Sequence, residues 1–185
     1  SQYFQRVLFP VLTPLAVDGS RPFPLLGNKT LNLAVCLMSK EHHKEEEKVF
    51  AIVQVPSILP RFLELPSDEG REFTLLEDVI IHNLAGLFEL HDIVAACPFR
   101  VTRNSDLEID EEAEDFMSEV KKSIKKRKRG APVRLELLNK CSPDIKSFLI
   151  EMLNIKKNEI YELPGPLDLT FLSKFAGVKG FESMC

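Results

Sequence analysis

The order of strand-like and helix-like stretches constrains the fold of this chain most. Three strand-like stretches come first: residues 30–38 (TLNLAVCLM), 49–55 (VFAIVQV) and 61–65 (RFLEL). The first alternates and then becomes continuously apolar, the second is rich in β-branched side chains, and the third lies between two prolines. Helical and strand patterns alternate further along. This order predicts an α+β fold, with a mixed, largely antiparallel sheet and helices packed mainly on one face, in a single domain over residues 1–185.

The remaining elements follow from spacing and from helix-start signals. Helices are predicted over residues 75–88, where Val79, Leu84, Leu87 and Phe88 share a face, over 110–128, and from Ser142, which precedes a proline suited to a first helical position. Further strands are predicted at IVAACPFRVTR, VRLELL and EIYEL, and DLTFLSKFA predicts a short closing helix. Four prolines predict that residues 1–28 form an extended opening segment.

Composition excludes several classes of protein. The 24 Lys and Arg against 28 Asp and Glu give a net charge of -4, which does not suggest a nucleic-acid partner. No apolar run approaches the roughly 20 residues of a membrane-spanning helix. The four cysteines, Cys36, Cys97, Cys141 and Cys185, form no CxxC pair, which argues against a zinc site or a disulfide scaffold and indicates a reducing, cytoplasmic compartment. The chain opens in mid-pattern, so we expect it to be a piece of a longer protein.

The candidates for catalysis or metal binding have simpler explanations. No phosphate-binding loop motif occurs, and DLEIDEE lacks the glycine and ligand spacing of a calcium loop. His42 and His43 lie in a charged turn, His82 is expected on a helix surface, and His91 has no identifiable partner. Cys36 and Cys97 are expected to be buried small apolar side chains. The basic run KKSIKKRKRG could attract a polyanion, although a solvated helix end matched to the helix dipole explains it more simply.

The stretch PFRVTRN contains two arginines in a predicted strand. Strict alternation places Arg100 and Arg103 on opposite faces unless a bulge follows Pro98. One is expected to pair with a carboxylate of the acidic run that follows, and the other to meet a phosphate or a neighbouring domain. The planar guanidinium suits either partner because it donates two parallel hydrogen bonds.

Several strings together resemble one family. FPVLTPLAVDGSRPFPLLGNKTLNLAV, VPSILPRFLELP, LLEDVIIHNLAGLF, PFRVTRNSDLEIDEE and LPGPLDLTFL follow one another from about Phe9 to Leu172. In this order they resemble the middle, or head, domain of the bacterial polyphosphate kinase family. The resemblance implies a parent enzyme that uses Mg²⁺ and ATP and moves the terminal phosphate of ATP reversibly onto inorganic polyphosphate. It also implies that the phosphohistidine lies in another domain, so that no catalytic residue, metal ligand or cofactor ligand is identified here.

The resemblance further implies what this domain contributes. It is expected to be structural, to form dimer contacts and to line the polyphosphate tunnel, and to be inactive by itself. Its partners would be the other domains of the same chain, a second copy and inorganic polyphosphate, in a cytoplasmic and possibly membrane-associated enzyme without a transmembrane segment. Two alternatives stay open: a free-standing phosphohistidine phosphatase with His82 as base, and a pure interaction module. The candidates for facing polyphosphate or an interface are Arg100, Arg103, Lys125 and Arg127.

Overall fold

The structure is a computed structural model, and it describes residues 2–17, 23–40, 48–68, 70–104 and 130–179. Its strands are β1 Pro14–Val17, β2 Leu31–Ser39, β3 Lys48–Gln54, β4 Phe62–Leu65, β5 Glu72–Leu75, β6 His91–Arg103, β7 Pro132–Leu138 and β8 Ile160–Leu163. Its α-helices are α1 Leu76–His82, α2 Pro143–Leu153 and α3 Phe171–Phe175. Short helical turns of other types span Phe4–Leu8, Phe9–Val11, Leu84–Gly86 and Lys157–Glu159.

Most strands belong to one mixed sheet. Its order is β1-β3-β2-β6-β7-β8, while β4 and β5 form a separate antiparallel pair. All neighbours in the large sheet are antiparallel except β7 and β8, which α2 connects, as a crossover between parallel strands requires. The predicted α+β class with a largely antiparallel sheet is therefore confirmed.

The central position of strand β2 in the sheet explains why its sequence becomes continuously apolar. It lies between β3 and β6, and all its residues from Leu31 to Leu37 are buried. Ala34 and Cys36 belong to one core, whereas Leu33 and Val35 belong to a second core on the other face. A strand buried on both sides cannot alternate with polar residues.

Helical segments cover both faces of the sheet. On one face, α2 contributes Ile145, Phe148 and Leu149 to the core. On the other face, α1 contributes Leu76 and Ile80, and the turn Phe4–Leu8 adds its own apolar side chains. The helices are thus less confined to one face than the sequence predicts, because the central strand has two apolar faces to cover. No helix among the described residues is long and apolar enough to cross a membrane.

The opening segment differs from the extended conformation predicted for residues 1–28. Residues 4–11 form two consecutive helical turns, and Pro14–Val17, paired with β3, is the strand among the described residues of this segment. Phe4 and Leu8 are one turn apart and fully buried, so apolar burial selects the helical conformation. Pro10 lies at the start of the second turn, where its missing N–H leaves no intrahelical bond unmade.

Helix α1 is shorter than predicted. It ends at His82, and Asn83 donates its side-chain amide to the Val79 carbonyl at 2.7 Å. Leu76 and Ile80 are buried in α1. Val79, Leu84, Leu87 and Phe88, which were predicted to share a face, all pack against the same core, although the last three lie beyond the end of the helix. The four residues before the helix form β5, which the sequence pattern did not predict.

The structure confirms most of the other predicted strands and the helix that begins after Ser142. β2, β3, β4, β7 and β8 lie where strands were predicted, and β6 runs without interruption through Pro98. Pairing of β6 with β7 begins at Phe99, so Pro98 lies beyond the paired part of β7. Ser142 caps α2, accepting a hydrogen bond from the Ile145 N–H at 3.3 Å. The helix predicted over residues 110–128 lies outside the described residues.

Candidate functional site

An ion-pair network connects parts of the fold that are distant in the sequence. Its members are Arg61 before β4, Glu77 in α1, Arg100 in β6, Glu136 in β7 and Asp168 in the segment before α3. Arg61 and the Asp168 segment are separated by 107 positions, yet they share hydrogen bonds. The network therefore fixes the small β4–β5 pair, α1 and the C-terminal segment against the large sheet.

The Arg61–Glu77 pair is the most deeply buried part of the network. Arg61 donates from Nε to Glu77 Oε2 at 3.0 Å and from Nη2 to Glu77 Oε1 at 2.6 Å. The two side chains are only 14% and 4% exposed. This is the two-bond geometry in which a guanidinium binds a carboxylate most strongly.

Arg61 also holds the segment that contains Asp168. Its Nη1 donates to the Asp168 carbonyl at 2.7 Å, and its Nη2 donates to the Leu167 carbonyl. Its guanidinium lies 5.1 Å from the centre of the Phe171 ring, within cation–π range. One side chain thus binds a helix carboxylate, two backbone carbonyls and an aromatic ring.

Asp168 lies between two arginines. Its carboxylate oxygens are 3.8 Å from Arg61 Nη1 and 3.8 Å from Arg100 Nη2. Its backbone has a φ of 53°, in the left-handed region that aspartate tolerates better than most residues. Thr170 donates its hydroxyl to the Asp168 carboxylate at 2.9 Å, which orients it further.

Arg100 uses its donors inside the fold. Its Nε donates to the Lys29 carbonyl at 3.0 Å, and its Nη1 lies 3.5 Å from Glu136 Oε2. Glu136 is the cross-strand partner of Arg100 and also pairs with Arg134 Nη2 at 2.8 Å. The carboxylates around Arg100 come from β7 and from Asp168, and the acidic run expected to supply one lies outside the described residues.

Arg103 has a different environment. It is 8% exposed, and it donates to the carbonyls of Leu26 at 3.1 Å and Gly130 at 2.9 Å. Burial lowers the pKa of Arg103 because it removes water from the charged form. A β-bulge separates Thr102 from Arg103 in the pairing with β7. Arg103 therefore closes the chain segments around residues 26 and 130 onto the end of β6.

A cleft of about 540 Å³ lies beside the network. Arg61 and Asp168 contribute to its lining, and Lys29 and Lys174 lie on it as exposed cationic side chains. Among the described residues, no carboxylate forms an ion pair with either lysine. The cleft therefore combines Arg61 and Asp168, whose charges are paired, with two lysines that have no carboxylate partner among the described residues.

Other sequence candidates do not assemble into a catalytic site in the described part of the chain. His82 is exposed on α1 and His91 begins β6, and neither imidazole has a described hydrogen-bonding partner. No group of three His, Cys, Asp or Glu residues there could hold a metal ion. Cys36 and Cys97 are buried, as predicted for small apolar side chains. Lys125, Arg127, His42, His43 and Cys185 lie outside the described residues.

Sequence reasoning missed Arg61, Glu77 and Asp168. Glu77 follows the start of a helical pattern, where an acidic residue is usually explained by the helix dipole. Arg61 begins a short strand between prolines, and Asp168 begins a short helical pattern. A charged residue inside an otherwise apolar run could have indicated a buried ion pair, but it does not identify which residue of opposite charge completes the pair.

The fold and the ion pairs define the class of this protein. It is an α+β domain in which an ion-pair network stabilises the fold beside a cleft with exposed lysines. A protein-family model described as the polyphosphate kinase middle domain matches residues 1–175. The polyphosphate kinase of Halalkalibacterium halodurans is 51% identical over 174 residues, which cover 92% of this chain and 24% of that protein. That of Exiguobacterium sibiricum is 42% identical over 184 residues, covering 97% and 25%. The chain belongs to the polyphosphate kinase middle-domain family.

A solved structure shows the same fold. The crystal structure of polyphosphate kinase from Porphyromonas gingivalis matches with a TM-score of 0.73 and 24% identity, over 94% of this chain and 24% of that chain. The present chain thus spans about a quarter of the length of the curated relatives it matches.

Proposed function

We propose that this chain is the middle domain of an enzyme that transfers the terminal phosphate of ATP reversibly to inorganic polyphosphate. The match of the family model to residues 1–175 carries the proposal, together with the quarter of each relative that the chain spans. In this proposal residues 1–185 form one domain, and the phosphohistidine, Mg²⁺ and ATP belong to other domains of the parent chain. The cluster of ligands that a metal needs is lacking among the described residues, so no step is assigned to a metal here.

In this proposal the domain has a structural role and helps to position the other domains of the parent chain. Arg100 and Arg103 use their donors on Glu136, Asp168 and backbone carbonyls, which supports a role in holding the fold. Lys125 and Arg127 stay candidates for facing polyphosphate. Cytoplasmic location, with possible membrane association of the whole enzyme, belongs to the same proposal.

Exposed apolar side chains support contacts with other domains or a second copy. Phe9, Val11 and Leu15 are 44%, 44% and 43% exposed. They lie in or just before β1, which is an edge strand of the large sheet. Apolar side chains beside an open strand edge favour burial against another polypeptide. This is the surface that we assign to dimer or interdomain contact.

A chimera tests the proposed function. Residues 1–175 of this chain replace the matching segment of the Halalkalibacterium halodurans enzyme, and ATP-dependent polyphosphate synthesis is measured. The expected result is synthesis by the chimera and none by the 185-residue chain alone. A control enzyme reassembled with its own segment shows that the junctions are tolerated. An inactive but folded chimera beside an active control, or synthesis by the chain alone, would refute the proposal.

The two alternatives receive less support from the geometry. A phosphatase using His82 as base needs a partner that orients the imidazole, and no described residue provides one. A pure interaction module would use the surface around Phe9 and Leu15 without any phosphate role. An active chimera whose polymer length is unaffected by changes in this domain, but whose oligomeric state is affected, would favour the module.

A further inference from the structure

We propose that the cleft beside the ion-pair network is a binding subsite for an oligophosphate anion, the chemistry shared by the end of a polyphosphate chain and the tail of a nucleoside triphosphate. This inference rests on the proposed function and deepens it, because it places a phosphate-binding role within this domain. The family match does not assign such a role to these residues. The size of the cleft, its charge and the hydrogen bonds that hold the backbone at Lys29 support the inference.

The size of the cleft suits a small ligand. Its volume of about 540 Å³ lies within the range of roughly 300–1,000 Å³ typical of small-molecule sites. Its lining includes the turn that contains Ser57 and Ile58, and the segment that contains Phe171 and Lys174. Lys29 belongs to a third lining segment, so a ligand inside would contact three separate chain segments.

The free charges at the cleft are positive. Lys29, Arg61 and Lys174 are the cationic side chains in its lining, and Asp168 is the anionic one. Arg61 is already neutralised by Glu77, and Asp168 lies near two guanidinium groups. The two lysine ammonium groups are left without a carboxylate partner among the described residues. Phosphate oxygens are suitable acceptors because hydrogen bonds between ionised groups are stronger than neutral ones.

Hydrogen bonds to β6 hold the backbone at Lys29. Its N–H donates to the Val101 carbonyl at 2.8 Å, and its carbonyl accepts from Arg100 Nε at 3.0 Å. Thr30 donates its hydroxyl to the Gly27 carbonyl at 2.9 Å. The turn is therefore fixed to β6 before any ligand arrives, so the backbone loses little conformational entropy on binding. Arg100 contributes to this subsite by positioning Lys29, not by contacting the anion.

The hydroxyl groups and the apolar wall define how the ligand would lie. Ser57 and Thr170 contribute hydroxyl groups to the lining. The Ser57 hydroxyl can donate to a phosphate oxygen, whereas the Thr170 hydroxyl already donates to the Asp168 carboxylate. Ile58 is 82% exposed and faces the same space, together with the Phe171 ring. An apolar surface beside a phosphate subsite suits the face of a nucleotide base. A nucleoside triphosphate would therefore gain from this wall, whereas a polyphosphate end would use only the lysines and the Ser57 hydroxyl.

The test is calorimetric titration of the 185-residue chain with tripolyphosphate, ATP and AMP, in magnesium-free buffer at low and moderate salt. The Lys29→Ala/Lys174→Ala variant is compared with a Lys140→Ala/Lys157→Ala variant. The control pair is also exposed, loses the same charge, and lies outside the cleft lining. Circular dichroism confirms that both variants are folded.

The expected result is binding of tripolyphosphate that weakens at higher salt and falls at least roughly 10-fold in the cleft variant, with a much smaller change in the control. Tighter binding of ATP than of tripolyphosphate would identify a nucleotide as the ligand, and equal binding would identify the polyphosphate end. Absence of tripolyphosphate binding, equal losses in both variants, or AMP binding as strong as ATP binding would overturn the proposal. An active chimera with no tripolyphosphate binding would reject the subsite alone, whereas an inactive chimera would reject the proposed function.

Discussion

Replacement of Arg61 by methionine should strongly destabilise the protein. The substitution leaves the Glu77 carboxylate, only 4% exposed, without its guanidinium, and it removes the donors to the Leu167 and Asp168 carbonyls. Removing one member of a buried ion pair costs about 3–5 kcal/mol, because a desolvated charge is left unpaired. For a chain of this length, the corresponding fall in melting temperature is roughly 10 °C.

Urea unfolding followed by far-ultraviolet circular dichroism measures this loss. The double variant Arg61→Met/Glu77→Leu should recover about 1–3 kcal/mol relative to Arg61→Met, since no buried charge remains, although the two carbonyls still lack a donor. The matched control is Lys146→Met, which breaks a pair with Glu162 whose side chains are 35% and 42% exposed. The control should cost less than about 1 kcal/mol. If Arg61→Met costs no more than Lys146→Met, the network does not anchor the C-terminal segment.

Two further substitutions test local geometry by thermal unfolding. Ser142→Ala removes the N-cap of α2 and should cost about 1 kcal/mol, whereas Ser142→Thr keeps the hydroxyl and should cost less; equal losses would contradict the capping role. Gly130→Ala would place a methyl group 2.0 Å from the Asn104 carbonyl oxygen, so the backbone must move and the melting temperature should fall by several degrees. Gly165→Ala meets nothing within 4 Å and should change it little, and a similar response at both positions would refute the clash.

The elements that local chemistry dictates were predictable from the sequence. β2 and β3 are specified by apolar and β-branched runs with a charged stretch of sequence between them, and α2 by a serine cap followed by proline. Each of these signals lies within a dozen residues. The fold class followed because the order of such elements allows few arrangements.

The parts that depend on long-range contacts were not predictable. The helical opening turn exists because Phe4 and Leu8 find an apolar core supplied by α1 and β2, which the prolines nearby do not reveal. β5 is four residues long and pairs with β4, so its pattern is too short to recognise. The partner of Glu77 is 16 positions away, and nothing in the sequence around either residue identifies the pair.

The network joins residues from four of the strings that carry the family resemblance. VPSILPRFLELP supplies Arg61, LLEDVIIHNLAGLF supplies Glu77, PFRVTRN supplies Arg100 and LPGPLDLTFL supplies Asp168. In the folded protein these four residues lie in one connected set of ion pairs and hydrogen bonds. Each member satisfies charges and carbonyls of the others, so a change at one leaves buried polar groups unpaired elsewhere. Four strings that are far apart in the sequence therefore meet in one network of this fold, and the residues that meet there hold the structure together.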